Sequence, residues 1–210
     1  GEAGHRHGSR GAVPRDRLGN PSDFRRYLRR LAGPARARWQ RPDAVVAALR
    51  LRFGQIAGDV GCGPGYFTLR LAHAVGPRGR VFAVDAEPRM LELLVARLGR
   101  DRVRNVTPIR GLEGDPLLPD RSCDLILVVN TYHHFPEGPV FLRRLTRALR
   151  RGGRLVNIDF HARETPVGPP IEHRVAREAF LQDARRAGLS LVAEQALLPY
   201  QYCLELRPRG

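Results

Sequence analysis

A glycine-rich segment constrains the fold of this chain more than any other feature. Residues 59–65 read DVGCGPG, with glycine at Gly61, Gly63 and Gly65. Glycine at every second position allows a sharp turn and removes the Cβ atoms that would hold a ligand away from the main chain. Asp85 ends the next apolar run, where a carboxylate can accept hydrogen bonds from ribose hydroxyls. These features predict a nucleoside pocket at the carboxyl edge of a parallel sheet.

Strand and helix patterns alternate along most of the chain, which predicts a parallel sheet with right-handed crossovers. The predicted strands are 55–60, 80–85, 103–107, 123–130, 154–160, 189–198 and 201–206. The predicted helices between them are 66–75, 88–98, 139–150 and 172–187. The last two strands leave no room for a helix and should form an antiparallel hairpin at one edge. We therefore predict an α/β fold, a doubly wound, mostly parallel, seven-stranded Rossmann-like sheet with a C-terminal antiparallel hairpin.

The chain divides into three parts by composition. Residues 1–20 are rich in Gly, Arg, His, Pro and Ser, and we expect a disordered basic tail in which the pair His5 and His7 is incidental. Residues 21–52 carry two amphipathic helix patterns ahead of the first strand, which predicts either a lid over the pocket or packing on the outside of the sheet. Residues 53–210 form the single main domain.

Composition excludes some classes of protein. The longest apolar run, 44–49, is too short to cross a bilayer, and the N-terminus has no signal-peptide core. Three cysteines without C-x-x-C spacing suit a reducing compartment, so we expect a cytoplasmic protein. The sequence does not begin with Met, so a leader already removed would not be seen. The formal charge of +15, carried by arginine, permits nucleic acid or anionic lipid, but its spread along the chain favours a solvated basic surface.

The G-x-G-x-G spacing, with Asp59 two residues before it, resembles motif I of the class I S-adenosylmethionine (SAM) methyltransferases. Within them the chain is similar to the group of small ubiquinone and menaquinone C-methyltransferases and arsenite methyltransferases. The resemblance implies that residues 53–210 form a SAM-binding domain, with S-adenosylhomocysteine (SAH) as product. The cofactor-binding residues that it implies are Asp59, Gly61, Gly63 and Gly65 at the methionine moiety, Asp85 at the ribose, Leu112 and Glu113 near the adenine, and Asn130 at the methionine end.

Two segments differ from patterns known in these enzymes. Gly111-Leu112-Glu113 stands where the family often has Gly-Asp-Ala, so Glu113 or a backbone carbonyl would have to meet the adenine amine. Enzymes that methylate exocyclic amines of bases carry (Asp/Asn)-Pro-Pro-(Tyr/Phe) after the fourth strand, and here only Asn130 agrees. The sequence therefore favours a small-molecule acceptor over a nucleic-acid amine.

Polar residues that follow the fourth and fifth strands are the candidates for catalysis, since the carboxyl ends of parallel strands bound the active site. A neutral imidazole can accept the proton released by the acceptor. His133 and His134 are the first candidates and His161 the second, with a non-catalytic polar rim as the alternative. The spacing of these histidines does not indicate a metal site. Cys62, Cys123 and Cys203 lie in three separate elements, which disfavours arsenite as substrate.

Three functions remain open from the sequence. The first is a SAM-dependent methyltransferase that acts on the O, C or N atom of a small molecule. The second is an RNA-associated methyltransferase that uses the basic surface, and the third is a non-catalytic binding protein on the same scaffold. The glycine loop and Asp85 favour the first, because a scaffold protein needs neither. The oligomeric state is not indicated by the sequence.

Overall fold

The computed structural model describes residues 21–210 and contains one seven-stranded sheet. The strand order is β3-β2-β1-β4-β5-β7-β6. All neighbouring pairs from β3 to β5 are parallel, and β7 runs antiparallel to both β5 and β6. The strands are β1 (Ile56–Val60), β2 (Arg80–Asp85), β3 (Val106–Arg110), β4 (Cys123–Val129), β5 (Leu149–Phe160), β6 (Leu189–Glu194) and β7 (Gln201–Pro208). The predicted fold class is confirmed, including the terminal hairpin. The expected tail 1–20, with His5 and His7, lies outside the described residues.

Helices pack on both faces of this sheet. They are α1 (Pro21–Ala32), α2 (Pro34–Gln40), α3 (Pro42–Ala48), α4 (Thr68–Val75), α5 (Pro88–Arg100), α6 (Gly138–Ala148) and α7 (Arg177–Arg186). Three helices, where the sequence indicated two, precede β1. Proline begins both α2 and α3, where its missing N–H group costs no helical hydrogen bond. Arg41, between them, has a left-handed φ of 46° that turns the chain.

Several predicted boundaries were wrong, and each has a local cause. The strand predicted over 103–107 is instead β3, Val106–Arg110, and Pro108 lies inside it. Because β3 is an edge strand, a residue without an N–H group is tolerated there. The predicted strand 154–160 begins earlier, at Leu149, and the register of β5 on β4 shifts near its start. The predicted helix 172–187 is a 3-10 turn, Ile171–His173, followed by α7.

The core lies on both faces of the central strands. β4 is buried almost throughout, as expected for the middle of a parallel sheet. Cys62, Cys123 and Cys203 are buried free thiols, each in a different element or loop.

Within residues 21–210, no helix is long and apolar enough to cross a membrane. The same residues contain no cluster of three or more His, Cys, Asp or Glu side chains that could hold a metal ion.

Candidate functional site

A cavity of about 280 Å³ opens where β1, β2 and β4 end, and residues of α1 and α2 contribute to its walls. Its walls contain most of the residues that the sequence selects, together with Tyr27 and Leu31 of α1 and Arg36 of α2. The lining residues from the predicted cofactor set are Asp59, Gly61, Gly63, Asp85, Leu112, Glu113 and Asn130. The topology thus gathers residues that are up to 71 positions apart in sequence, since Asp59 lies near the end of β1, Asn130 directly follows β4, and these two strands pair.

The glycine loop follows β1 and turns back under the end of β2. The N–H groups of Gly61 and Cys62 both donate to the carbonyl oxygen of Val84, at 2.8 and 3.0 Å. Gly61 has a φ of +78°, and a Cβ atom there would lie 2.1 Å from Oγ1 of Thr131. Glycine is therefore required at this position both for its backbone angle and for the close approach of the two strand ends.

The other two glycines of the motif differ in what surrounds them. A Cβ atom on Gly63 would meet only Leu31 Cδ1 at 3.9 Å, so the backbone at this residue borders open space in the cavity. A Cβ atom on Gly65 would instead lie 2.7 Å from Cδ1 of Leu94 on α5. Gly65 does not line the cavity. The absence of a side chain at Gly65 allows the loop to pack closely against α5. The predicted contact of Gly65 with a cofactor stays a prediction.

Asp85 ends β2 and holds the glycine loop in place. Its Oδ2 atom accepts a hydrogen bond from the Gly63 N–H at 2.9 Å, and its Oδ1 atom accepts one from the Glu87 N–H at 2.9 Å. A carboxylate offers roughly four acceptor sites, so the two oxygens keep capacity for further donors. Desolvation raises the pKa of Asp85, while the backbone donors act in the opposite direction.

Asp59 lies beneath the loop and is almost fully buried, with 3% of its surface exposed. The Thr68 hydroxyl donates to its Oδ2 atom at 2.7 Å. Burial is the main cause that raises the pKa of Asp59 to about 6, and the Thr68 hydrogen bond and the charge of Arg36 partly oppose it. The carboxylate is therefore mainly ionised at neutral pH, at a cost to stability.

Asn130 follows β4 with a left-handed φ of 55° and lines the cavity. Its side chain is held in a closed ring of three amides, which we call the amide ring. Gln40 donates to Gln201 at 2.6 Å, Gln201 donates to Asn130, and Asn130 donates back to Gln40 at 3.0 Å. Because both ends of the Asn130 amide are engaged, its predicted contact with a cofactor rests on its main chain or on its remaining amide hydrogen.

Arg36 and Tyr66 are lining residues that the sequence reasoning missed. The Arg36 guanidinium lies 4.0 Å from the centre of the Tyr66 ring, and only 8% of Arg36 is exposed. Burial lowers the pKa of Arg36 to about 10, which leaves it charged at neutral pH. No sequence signal separates Arg36 from the many arginines around it.

The three candidate histidines do not share one place. His134 lines the cavity, and its ring lies 4.2 Å from that of His133. His133 lies behind it, with Nδ1 3.0 Å from both carboxylate oxygens of Asp159. His161, after β5, packs edge-on against Tyr202 and does not line the cavity. His134 therefore lines the cavity itself, whereas His133 contacts the His134 ring and does not line the cavity.

His134 keeps an exposed surface, although protein atoms around it desolvate the ring. Desolvation, followed by the charge of His133, lowers the pKa of His134 to about 4. At neutral pH this imidazole is uncharged and can accept a proton.

Leu112 and Glu113 lie at the outer rim, where 62% of Leu112 is exposed.

Comparison with known proteins agrees with this geometry. Residues 58–153 match a family model described as a methyltransferase domain. The chain is 26% identical over 144 residues to a demethylmenaquinone methyltransferase from Geobacillus sp. (strain WCH70), covering 69% of this chain and 57% of that protein. It is 31% identical over 126 residues to the enzyme of that name from Staphylococcus aureus (strain JH9), covering 59% of this chain and 50% of that protein. The chain thus spans about half the length of the curated relatives it matches.

A solved structure matches over nearly its whole length. It is a SAM-dependent methyltransferase from Aquifex aeolicus, 26% identical, with a TM-score of 0.81, covering 89% of this chain and 97% of that chain. This likeness agrees with the fold described above.

Proposed function

Since this chain has the class I SAM-dependent methyltransferase fold and carries a methyltransferase domain, we propose that it binds SAM and methylates a small molecule. The observation that carries the proposal is the cavity at the ends of β1, β2 and β4. There the open backbone of Gly63 and the Asp85 carboxylate line the same space. The sequence matches leave the acceptor open, because they span only part of the relatives.

The residues present fit SAM at three places. The Asp85 carboxylate has acceptor capacity left for two ribose hydroxyls. Met90, Leu112 and Pro116 are apolar lining residues that a flat base can contact. The open backbone at Gly63 allows close approach of a ligand to the main chain. The cavity volume of about 280 Å³ is close to the lower end of the usual range for small-molecule sites, roughly 300 Å³.

The chemistry requires little beyond position and one proton transfer. SAM supplies a methyl group on a sulfonium cation, which a nucleophile in line with it can accept. His134, uncharged and at the cavity wall, takes the proton from the acceptor. His133 supports the His134 ring, and Asp159 fixes the orientation of His133. His161 does not line the cavity, so its catalytic role stays a prediction.

The acceptor is a small molecule in this proposal. The relatives named demethylmenaquinone methyltransferases favour an apolar aromatic acceptor. Exposed Leu112 at the rim and the stacked pair Phe135 and Phe141 in the wall are compatible with one. The nucleic-acid alternative is less favoured, because the segment after β4 lacks the base-amine motif. A cytoplasmic location belongs to the same proposal and is supported by the three buried free thiols.

The N-terminal helices form a lid in this proposal. Tyr27 and Leu31 of α1 line the cavity, and Trp39 of α2 packs 5.3 Å from Phe160. A ligand that orders this segment would slow hydrogen exchange in residues 22–45 more than in the hairpin of β6 and β7. It would also change Trp39 fluorescence. Equal protection of both regions, with unchanged fluorescence, would assign α1 and α2 to ordinary packing.

Transfer of a labelled methyl group tests the activity. The protein is incubated with methyl-labelled SAM and an extract of its source cells, which is then separated into small molecules and macromolecules. Label in the small-molecule fraction supports the proposal, and the Asp85→Ala variant should abolish it. Label confined to RNA or protein would contradict the choice of acceptor. Absence of transfer to any fraction would contradict the enzymatic function.

A further inference from the structure

Helix α1 has two sides of different chemistry. Tyr27 and Leu31 line the cavity, while the Phe24 ring lies under the guanidinium of Arg89, whose central carbon is 4.5 Å from the ring centre. The other side of the helix is exposed and carries four arginines, which we call the α1 basic face: Arg25, Arg26, Arg29 and Arg30. From Phe24 to Ala32 the helix contains no acidic residue. Exposed positive charge therefore borders the cavity.

Two leucines are exposed in residues 111–120, the segment between β3 and β4 that we call the leucine loop. Leu112 lies at the rim of the cavity, and 46% of Leu117 is exposed. The main chains of Leu112 and Asp115 exchange two hydrogen bonds, at 2.8 and 3.1 Å, and the Leu117 N–H donates to Asp115 Oδ1 at 3.0 Å. Leu117 also has a left-handed φ of 54°, which is unusual for a bulky residue. A loop that is fixed with two leucines exposed indicates an apolar contact outside the folded chain.

The α1 basic face and the leucine loop belong to one rim at the carboxyl edge of the sheet. Phe24 contacts Arg89, and Arg89 forms an ion pair with Glu87 at 3.0 Å. The Arg89 hydrogen bond lowers the pKa of Glu87, and the charge of Arg110 acts in the same direction. Arg110 is exposed and ends β3 directly before the leucine loop. A series of neighbours therefore joins α1 to Leu112 and adds two arginines to the rim.

We propose that this rim docks on an anionic lipid surface, with the arginines at the headgroups and the two leucines inserted between them. Arginine is attracted to anionic lipid, and an exposed leucine is stabilised by burial at the boundary of headgroups and acyl chains. The rim supplies both contributions. The use of such docking rests on the function proposed above, because an apolar acceptor dissolved in a bilayer would then enter the cavity without crossing water.

Nucleic acid is the other polyanion that a basic helix attracts. Proteins that bind single strands stack the bases on exposed aromatic side chains. Among the exposed large apolar side chains in the described part of the chain, only Phe53 is aromatic, and it precedes β1 at the opposite edge of the sheet. Leu112 and Leu117 offer no donor to a phosphate, so the composition of the rim favours lipid.

Co-sedimentation with vesicles tests the proposal. The vesicles contain equal amounts of phosphatidylglycerol and phosphatidylcholine, or phosphatidylcholine alone, in physiological salt. One variant replaces all four arginines of the α1 basic face by glutamine. A second variant is Leu117→Asn, because asparagine tolerates a left-handed φ. The matched control removes the same charge from exposed positions at the amino edge of the sheet: Arg50→Gln, Arg52→Gln, Arg78→Gln and Arg104→Gln.

We expect the wild type to bind the anionic vesicles and not phosphatidylcholine alone. Loss of the α1 basic face should weaken binding at least roughly 30-fold, and Leu117→Asn should weaken it roughly 3- to 10-fold. The control should weaken it less than about threefold, since exposed charges further than about 8 Å from the lipid are largely screened at this salt. Equal losses in the α1 variant and the control, or no binding by the wild type, would overturn the docking surface.

The same proteins are then measured with an oligouridine of about 20 nucleotides. If RNA binding fell with the α1 basic face while Leu117→Asn changed neither RNA nor vesicle binding, the rim would belong to nucleic acid and the proposal would be overturned. SAH calorimetry reports the cofactor site separately. Absence of vesicle binding with normal SAH binding would leave the proposed function standing, whereas absence of SAH binding would overturn that function and leave the docking result unaffected.

Discussion

Gln40 Nε2 donates a hydrogen bond to Gln201 Oε1 at 2.6 Å, which joins α2 to the last strand across 161 positions of sequence. Gln40 is fully buried, and 2% of Gln201 is exposed. Asn130 closes the amide ring at the end of β4. These three hydrogen bonds therefore connect α2, the cavity wall and the C-terminal hairpin.

Loss of Gln40 should destabilise the protein through the partners that it leaves behind. In Gln40→Leu, the side-chain oxygen of Gln201 loses its donor. The donors of Asn130 and Arg36 lose their acceptor, and all of these groups are buried or partly buried. We expect the free energy of unfolding in urea to fall by about 3 kcal/mol. Gln182→Leu on the exposed surface of α7 is the control and should change it by less than about 0.5 kcal/mol. Equal effects of the two substitutions would refute a structural role for the amide ring.

Alanine at Gly61 should cost more than alanine at Gly152, although both glycines have a φ of +78°. A Cβ atom at Gly152 meets nothing within 4 Å, so Gly152→Ala reports the cost of the backbone angle, about 1 kcal/mol. Gly61→Ala adds the collision with Thr131. Urea unfolding and SAH binding should both be impaired in Gly61→Ala and nearly normal in Gly152→Ala. Similar results for the two variants would contradict the close approach described here.

Asp59 should make stability depend on pH in a defined direction. Burial raises its pKa from 3.8 to about 6, so the folded protein holds the proton more tightly than the unfolded chain. This group therefore lowers stability progressively as pH rises from about 4 to 6, and the loss is complete above that range.

The variant Asp59→Asn removes this titration while an amide oxygen can still accept from Thr68. Relative to the wild type, it should gain up to about 3 kcal/mol in unfolding free energy between pH 4 and pH 7. Urea titrations across that interval measure the difference. A difference that stays constant with pH would show that Asp59 is not the titrating group.

The local features of this site could be read from the sequence, but its distant contacts could not. The turn at Gly61 and the acid at Asp85 depend on short spacing and on the order of strands, so the pattern predicted them. The amide ring joins three separate segments, and nothing in glutamine or asparagine alone indicates that they meet. Proline usually ends a strand, yet Pro108 lies inside β3. This could not be predicted, because the edge position that tolerates proline follows only from the assembled strand order.

His134 should remain uncharged through most of the pH range. Its pKa is lowered to about 4 by desolvation first and by His133 second. Because the folded protein resists this protonation, the residue lowers stability as pH falls from about 6.5 toward 4. NMR titration of the histidine ring signals, with His134→Gln for assignment, should place its midpoint near 4. A midpoint near 6.5 would contradict the environment described for this ring.

Calorimetric titration with SAH measures whether this cavity binds the cofactor. The wild type is compared with Asp85→Ala and with Asp120→Ala, which removes an exposed carboxylate before β4. We expect saturable binding to the wild type and to Asp120→Ala. Loss of the proposed ribose contact and of the Gly63 hydrogen bond should make binding to Asp85→Ala at least roughly tenfold weaker. Absence of binding to the wild type at millimolar SAH, or equal binding to all three proteins, would contradict a SAM site in this cavity.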